Sequence, residues 1–357
     1  MDAFFASIEE RDNTRFKGLP IVVGADPEGG RGRGVVSTAN YKAREYGIRS
    51  ALPISKAWEY SEKAKYEGKP PTIFLGVNMK RYVEVSQRIM EIVEQYSKEF
   101  EQASVDEMYF DLSECGNFEE AKKVCEKLKK EIKDKEHLSC SIGLGPNKFI
   151  AKIASDFKKP DGLTLVTEKD VEAFLEPLHI RKLPGIGPKT EAILNAKNIR
   201  IVRELKKLNL HELKEMLGKF GEDLYKKARG IDNAPIAEEY EAKSIGEQET
   251  FMKNTRDANI VMERMKELCA TVFKRFQKSG FTSFRTIVVT VRFGDFETKS
   301  RAHTFRENLS ELRVLEFEAV KLLLPFFDVR ENPKHKEIRL IGARVEKLEE
   351  YTQVDIL

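Results

Sequence analysis

The sequence has few cysteines, no long apolar run and almost no net charge. Its four cysteines (Cys115, Cys125, Cys140 and Cys269) show no C-x-x-C spacing, which points to inert thiols in a reducing cytosol rather than a zinc site or a disulfide framework. No stretch of about 18 apolar residues occurs, so no membrane span is expected, and no signal peptide is visible. A cytoplasmic protein is expected. Charged residues make up 34% of the 357, yet the formal net charge is only +3. Any nucleic-acid surface must therefore come from local segregation of Lys and Arg. The Gly-rich run Gly29–Gly34 lacks the G-x-x-x-x-G-K-[ST] pattern, so a nucleotide must be held in some other way. Low-complexity tracts are absent too. A chain this long should hold two to four domains.

The most informative stretch is Ala103–Asp111, in which the adjacent carboxylates Asp106 and Glu107 stand between β-prone residues. It reads as strand, tight turn, strand. Neighbours in a straight strand face opposite sides, so both acids serve one site only if the turn brings them together. Paired acids at a hairpin tip suit Mg²⁺, which takes hard oxygen ligands and leaves room for phosphate and water. A solvated turn is the competing account of this stretch alone.

Around it, strands and helices alternate. Leu19–Gly24 and Val35–Thr38 read as strands. Helices follow at 40–46, ended by Gly47, and from Pro53 through Trp58. Tyr82, Val85, Ile89 and Val93 recur at helical spacing within 78–100. Further helices are expected at 117–133 and 147–157, with a Gly-ended strand at 139–145 between them. An α+β sheet backed by helices accounts for this order. From Val171 to about Ala228 only short helices are expected, broken at Leu183–Pro188. A linker follows at about 231–243. The last part reads strand, helix, strand, strand, helix, strand, the ferredoxin-like order, over 244–348.

Three further clusters carry chemistry. Pro184-Gly185-Ile186-Gly187, flanked by Lys182 and Lys189, is a helix-hairpin-helix turn whose glycines and helix N-terminus suit sequence-independent binding of a phosphate backbone. Arg285, Arg292, Arg301 and Arg339, with Lys299, Arg306 and Arg344, would let a sheet face track phosphates, although such a face is commonly just wet. Thr38, Tyr41 and Arg44 gather a hydroxyl, a phenol and a guanidinium at the beginning of one helix, and Lys152 on another helix adds a point charge. For Arg44 an ion pair with Glu45 is the plainer alternative. Phe4 and Phe5 beside Asp2 are core residues unless they wall a sugar pocket.

Together the segments MDAFFASIEE, STANYKAR, ASVDEMYFD, SIGLGPNKFIAKIASDFKKPDG and LPGIGPKT resemble the Y-family DNA polymerases of the DNA polymerase IV type, over essentially the whole chain. The resemblance implies a right hand: palm (1–10 and 74–158), fingers (11–73), helical thumb (159–230), linker (231–243), little finger (244–348) and a C-terminal tail (349–357). It implies that Asp106 bridges two Mg²⁺ ions, that Glu107 serves the primer-side ion and that Phe5 is the steric gate against ribose. Tyr41, Arg44, Lys152 and, more weakly, Thr38 would hold the incoming triphosphate. The Pro184–Gly187 hairpin would grip duplex backbone. Gln353, Ile356 and Leu357 resemble a sliding-clamp peptide, with a frayed polar tail as the alternative.

The implied reaction is template-directed transfer of dNTPs to a primer by a monomeric, low-fidelity translesion polymerase. Small residues (Gly34, Ser37 and Ala39) would leave its site open, and no 3′–5′ exonuclease motif is apparent. The family's first metal-binding Asp would stand immediately before Met1, on a central palm strand, so a start upstream of Met1 is expected. A truncated, impaired polymerase is the alternative, since Asp2 matches the family's next Asp. Two other classes remain: a metal-dependent DNA repair nuclease and a non-catalytic DNA- and clamp-binding protein.

Overall fold

The computed structural model describes residues 1–236 and 242–350 and divides into two units, Met1–Glu239 and Tyr240–Leu357. The first unit opens with α1 (Phe4–Asp12), β1 (Ile21–Gly24), β2 (Val36–Ala39), α2 (Tyr41–Glu45), α3 (Ile54–Tyr66) and β3 (Ile73–Leu75). β1 lies centrally, antiparallel to β2 and parallel to β3. Its four residues are all buried because it walls two cores. Ile21 and Val23 join Phe4, Ile8, Tyr82 and Ile89, whereas Val22 joins Val36, Ala39, Ile48 and Ile54. That split is the alternation of side chains along a strand.

The buried Asn40 fixes α2 against this strand. Its Oδ1 accepts from Ala43 N (3.0 Å) as an N-cap and from Ile21 N (2.9 Å), while Nδ2 donates to the Leu19 carbonyl (2.8 Å). Tyr41 and Arg44 are thereby held at the start of α2. Next come α4 (Met79–Glu94), β4 (Phe100–Gln102), β5 (Met108–Phe110), α5 (Phe118–Glu136), β6 (Ile142–Leu144), α6 (Lys148–Phe157) and β7 (Leu163–Leu165). Asn117 caps α5, with Glu119 and Glu120 in its first turn and Lys133 and Lys135 in its last, the arrangement that complements the helix dipole.

The strands near the carboxylate hairpin do not form one sheet. Among the described residues they make two pairs, antiparallel β4–β5 and parallel β6–β7. Between them lies a cavity of about 140 Å³, lined by Met108, Phe110, Cys125, Leu128, Cys140 and Ile142. Where the alternation of elements suggests an α+β sheet, the described strands of this part form two short ladders with a gap between them.

The all-helical stretch contains α7 (Val171–Leu175), α8 (Pro188–Asn195), α9 (Val202–Leu205), α10 (Leu210–Leu217) and α11 (Lys219–Lys227). Its core includes Leu183, Leu194, Leu213 and Leu224, together with Phe149, Ile150 and Ile153 from α6. Residue 158 is therefore no packing boundary, because α6 gives its apolar face to the helices that follow.

In the second unit β8 (Ser244–Thr255), α12 (Ala258–Gln277), β9 (Phe281–Phe293), β10 (Thr298–Leu309), α13 (Leu312–Leu323) and β11 (Ile338–Glu350) follow the expected ferredoxin-like element order. The sheet runs β10-β9-β11-β8 with every neighbour antiparallel. Each helical crossover skips one strand, and the second and fourth strands are central. Helices α12 and α13 share one core with Ile287, Val289, Val291, Ile341 and Val345. Among the described residues no helix is long and apolar enough to cross a membrane.

Candidate active site

The carboxylate pair sits in the loop that closes β4–β5, where Phe100, Glu101 and Gln102 face Phe110, Tyr109 and Met108. Backbone N–H groups of Ala103 and Ser104 both donate to the Glu107 carbonyl (3.0 and 3.1 Å), and Ser104 Oγ donates to Asp106 Oδ1 (2.9 Å). Asp106 and Glu107 thus lie in a turn and escape the strict alternation of a strand. Lys148, at the head of α6, pairs with the buried Glu101 and sits 5.2 Å over the Tyr109 ring. It anchors the hairpin to the helix that carries Lys152.

A second cavity, of about 300 Å³, opens beside Asp106. Its walls include Phe5, Ser37, Thr38, Tyr41, Arg44, Asp106 and Lys159. The Arg44 guanidinium stacks 4.5 Å from the Tyr41 ring centroid, and its Nε donates to the Ala39 carbonyl (2.9 Å). Among the described residues no ion pair joins Arg44 to Glu45; that glutamate is 3.9 Å from Lys42 instead. Among the described residues, the buried Tyr41 hydroxyl meets no hydrogen-bond partner in good geometry. Phe5 stacks on Tyr82 at 4.3 Å between ring centroids, which fixes its ring in the wall of the cavity. Phe4 belongs to the core. Thr38, Tyr41, Arg44, Phe5 and Asp106 are therefore brought together, from three segments that are distant in sequence.

Lys152 is not in that cavity. It faces the gap between the two ladders and pairs with Glu107, with Asp156 3.6 Å away. Burial alone would lower its ammonium, and the hydrogen bond to Glu107 with the charge of Asp156 outweighs this and raises it. The lysine that reaches the cavity is Lys159, held by Asp156 at 2.8 Å. Sequence reasoning missed it, although it lies in the quoted Lys158-Lys159-Pro160-Asp161-Gly162 segment; two lysines in one block do not reveal which wall each reaches. Asp2, 2% exposed, is spent on structure. Its carboxylate accepts from Ser141 Oγ and from the Asp161 backbone N–H, both at 2.8 Å.

Among the described residues no cluster of three or more His, Cys, Asp or Glu side chains is placed to hold a metal. Asp106 and Glu107 alone nevertheless fit Mg²⁺, which is commonly held by one or two carboxylates and completed by substrate phosphates and water. Asp106 adjoins the cavity that the cationic Arg44 and Lys159 share, and Glu107 beside it lines the gap between the ladders.

The thumb turn is built as its residues suggest. Gly185 has φ 93° and a Cβ there would meet the Phe220 ring at 2.9 Å, whereas nothing lies within 4 Å of a Cβ at Gly187. Pro188 opens α8 at a position where a missing N–H costs nothing, and Lys189 is exposed. The Ile186 side chain is buried in the helical core, so Ile186 can offer a backbone partner only its main chain.

The arginines of the second unit do not share a face. Arg301 stands opposite the buried Val289, on the helix-covered side, and pairs with Glu331 at 2.7 Å. Arg292 stands on the opposite side and donates to Thr298 Oγ1 (2.8 Å). Arg285 pairs with Glu349, and Arg339 stacks on Phe296. Alternation separates residues that lie near one another in sequence. Gln353, Ile356 and Leu357 lie outside the described residues.

With this geometry in place, known proteins add a decisive comparison. The model of the impB/mucB/samB family matches residues 1–156, its C-terminal domain matches 242–356, and the thumb domain of DNA polymerase-iota matches 181–232. The DNA polymerase IV 2 of Methanosarcina mazei is 42% identical over 351 residues, spanning 98% of this chain and 91% of that protein. The DNA polymerase IV of Streptococcus mutans is 38% identical over 360 residues, with 100% and 93% covered. Among solved structures, a Y-family DNA polymerase chimera of Dbh and Dpo4 segments superposes with a TM-score of 0.85 at 30% identity, covering 97% of each chain. The chain belongs to the Y family of DNA polymerases. It is a DNA-directed DNA polymerase of the translesion kind, and its palm, fingers, thumb and little finger are those of the family. The nuclease and non-catalytic readings lose their support.

Proposed function

We propose that Asp106 and Glu107 hold two Mg²⁺ ions in this polymerase, and that Tyr41, Arg44 and Lys159 hold the triphosphate of the incoming dNTP. One observation carries the reading: Asp106 lies on the wall of the same cavity as the cationic and aromatic side chains of α2. Arg44 offers a planar, charge-assisted contact for phosphate oxygens, and the Tyr41 hydroxyl offers a donor. Lys159 adds a point charge. Thr38 borders the same cavity. The ions, when bound, activate the primer 3′-OH and balance charge on the triphosphate. The protein contributes position and preorganised charge, which supply most of the rate in phosphoryl transfer. Asp106 is assigned to both ions and Glu107 to the primer-side ion.

The Phe5 ring, held by Tyr82, is assigned the exclusion of a 2′-OH. Phe5→Ala should raise ribonucleotide incorporation by one or more orders of magnitude at similar dNTP use; unchanged sugar selection removes this role. Gly185 and Gly187, with Pro184, Lys189 and the Ile186 main chain, are assigned to the duplex backbone. Within the little finger, Arg292 lies on the sheet face away from the helices and is assigned a phosphate contact of its own. Gln353, Ile356 and Leu357 are assigned to a replicative sliding clamp on their sequence pattern. The deciding experiment incubates a labelled primer–template with the protein and Mg²⁺, with and without dNTPs. Extension that needs both dNTPs and the cation is expected. Shortening of the primer, or an unchanged primer at every Mg²⁺ concentration, overturns the reading.

A further inference from the structure

Glu107, Lys152, Asp156 and Lys159 form a chain of alternating charge. Lys152 and Asp156 are four apart, so α6 presents them on one face, and Lys159 lies three residues beyond Asp156. Glu107 closes the chain from the hairpin. The two ends differ in surroundings: Glu107 borders the gap between the ladders, whereas Lys159 also reaches the cavity with Tyr41 and Arg44. Asp156 is shared unequally. Lys159 holds it at 2.8 Å and Lys152 stands at 3.6 Å. Burial would raise its carboxyl, and the two lysines outweigh this and lower it.

We propose that Asp156 is a positioning residue that couples occupation of the phosphate cavity to release of Glu107 from Lys152. This rests on the assignment of Lys159 to phosphate and Glu107 to the cation. A polyphosphate that takes Lys159 leaves Asp156 without its nearer partner. Asp156 then draws Lys152, already in reach, and Lys152 loosens its hold on Glu107. The carboxylate becomes available for the cation when the nucleotide is in place. Coupling of this kind is reciprocal. Removing the Glu107 charge lets Lys152 serve Asp156 fully, so Lys159 is withdrawn more cheaply and phosphate binds tighter with no metal present.

The test is the affinity of the protein on primer–template for MANT-dATP in excess EDTA, read by fluorescence, where no turnover occurs. Glu107→Gln should tighten binding by about two- to fivefold, the size of a partly exposed ion pair. In an Asp156→Asn background the same substitution should change the affinity by less than about 1.5-fold. Lys152→Met, which removes the middle link, should abolish the Glu107→Gln effect in the same way and serves if Asp156→Asn fails to fold by circular dichroism. Tightening that persists undiminished in both backgrounds is a plain field effect of the lost charge and overturns the coupling. So does a Glu107→Gln protein that binds as the wild type does. No binding of MANT-dATP to the wild-type complex, with or without Mg²⁺, overturns the assignment of the cavity itself, and the coupling with it.

Discussion

Two of the networks of carboxylates and cations in the first unit are built differently. In one, Glu136 at the end of α5 accepts from Arg11 at 2.8 Å and from Arg88 at 2.7 and 3.0 Å, and Arg11 also donates to the Glu136 carbonyl at 3.0 Å. The Glu136 side chain is 9% exposed, and its bonds tie α1, α4 and α5 together. In the other, Glu107 and Asp156 are served by lysines, and both acids are more than a third exposed. A guanidinium is planar and grips a carboxylate through several donors, so it fixes geometry. An ammonium is a point charge on a flexible stem and exchanges partners readily. The same charge types thus brace the fold at Glu136 and form a looser, more exposed pair at Glu107. Burial and the choice of cation tell the two apart; charge count does not.

The comparison breaks most visibly with Asp106→Ala against Glu136→Ala. Asp106→Ala should reduce primer extension by at least about 10³-fold, the scale of losing a group that stabilises transition-state charge, with a melting temperature close to wild type. Glu136→Ala should cost about 2–3 kcal/mol of stability, less than a fully buried pair because Arg88 reaches solvent. Its folded fraction should still extend primers. Unfolding titrations alongside single-nucleotide kinetics separate the two. Loss of extension by folded Glu136→Ala protein, or undiminished extension by Asp106→Ala, removes the distinction between bracing and working carboxylates.

Smaller effects are expected within the lysine network. Lys159→Ala should raise the KM for dNTP about tenfold, as loss of a charged phosphate contact does, with a smaller change in kcat. Lys152→Ala should leave that KM within about threefold, since its partner is Glu107. A larger KM effect for Lys152 than for Lys159 would return the triphosphate role to Lys152, where the sequence alone had put it. That reversal shows what sequence could resolve. The hairpin with Asp106 and Glu107, the α2 cluster, the thumb turn and the six elements of the little finger were legible, because each is a contiguous run with its own periodicity or turn chemistry. Which lysine of one block faces which cavity depends on where α6 ends and how residues 158–161 turn. The face of Arg301 depends on pairing with β9. The three-residue strands β3 and β7 depend on parallel partners far away in the chain. None of these has a local signal.

Acid titration gives the finest separation. The Glu136 carboxyl is held below its ordinary value: burial would raise it, but Arg88 and Arg11 outweigh burial. A carboxyl that is lowered in the folded state stabilises it fully above the unfolded-state pKa of about 4.3. That contribution is lost as pH falls through the folded-state value. The stability difference between wild type and Glu136→Ala should therefore hold between about pH 5 and 7 and shrink steadily below about pH 4.3. Asp156 is lowered as well, but its side chain is 45% exposed. Asp156→Asn should then cost less than about 0.5 kcal/mol at neutral pH, with only a shallow change in acid. Denaturant titrations of the three proteins at stepped pH measure both differences. A Glu136→Ala deficit that stays constant down to pH 3 would mean that packing of the side chain, and not its charge, braces the three helices; an Asp156→Asn deficit as large as that of Glu136→Ala would make the lysine network a brace as well.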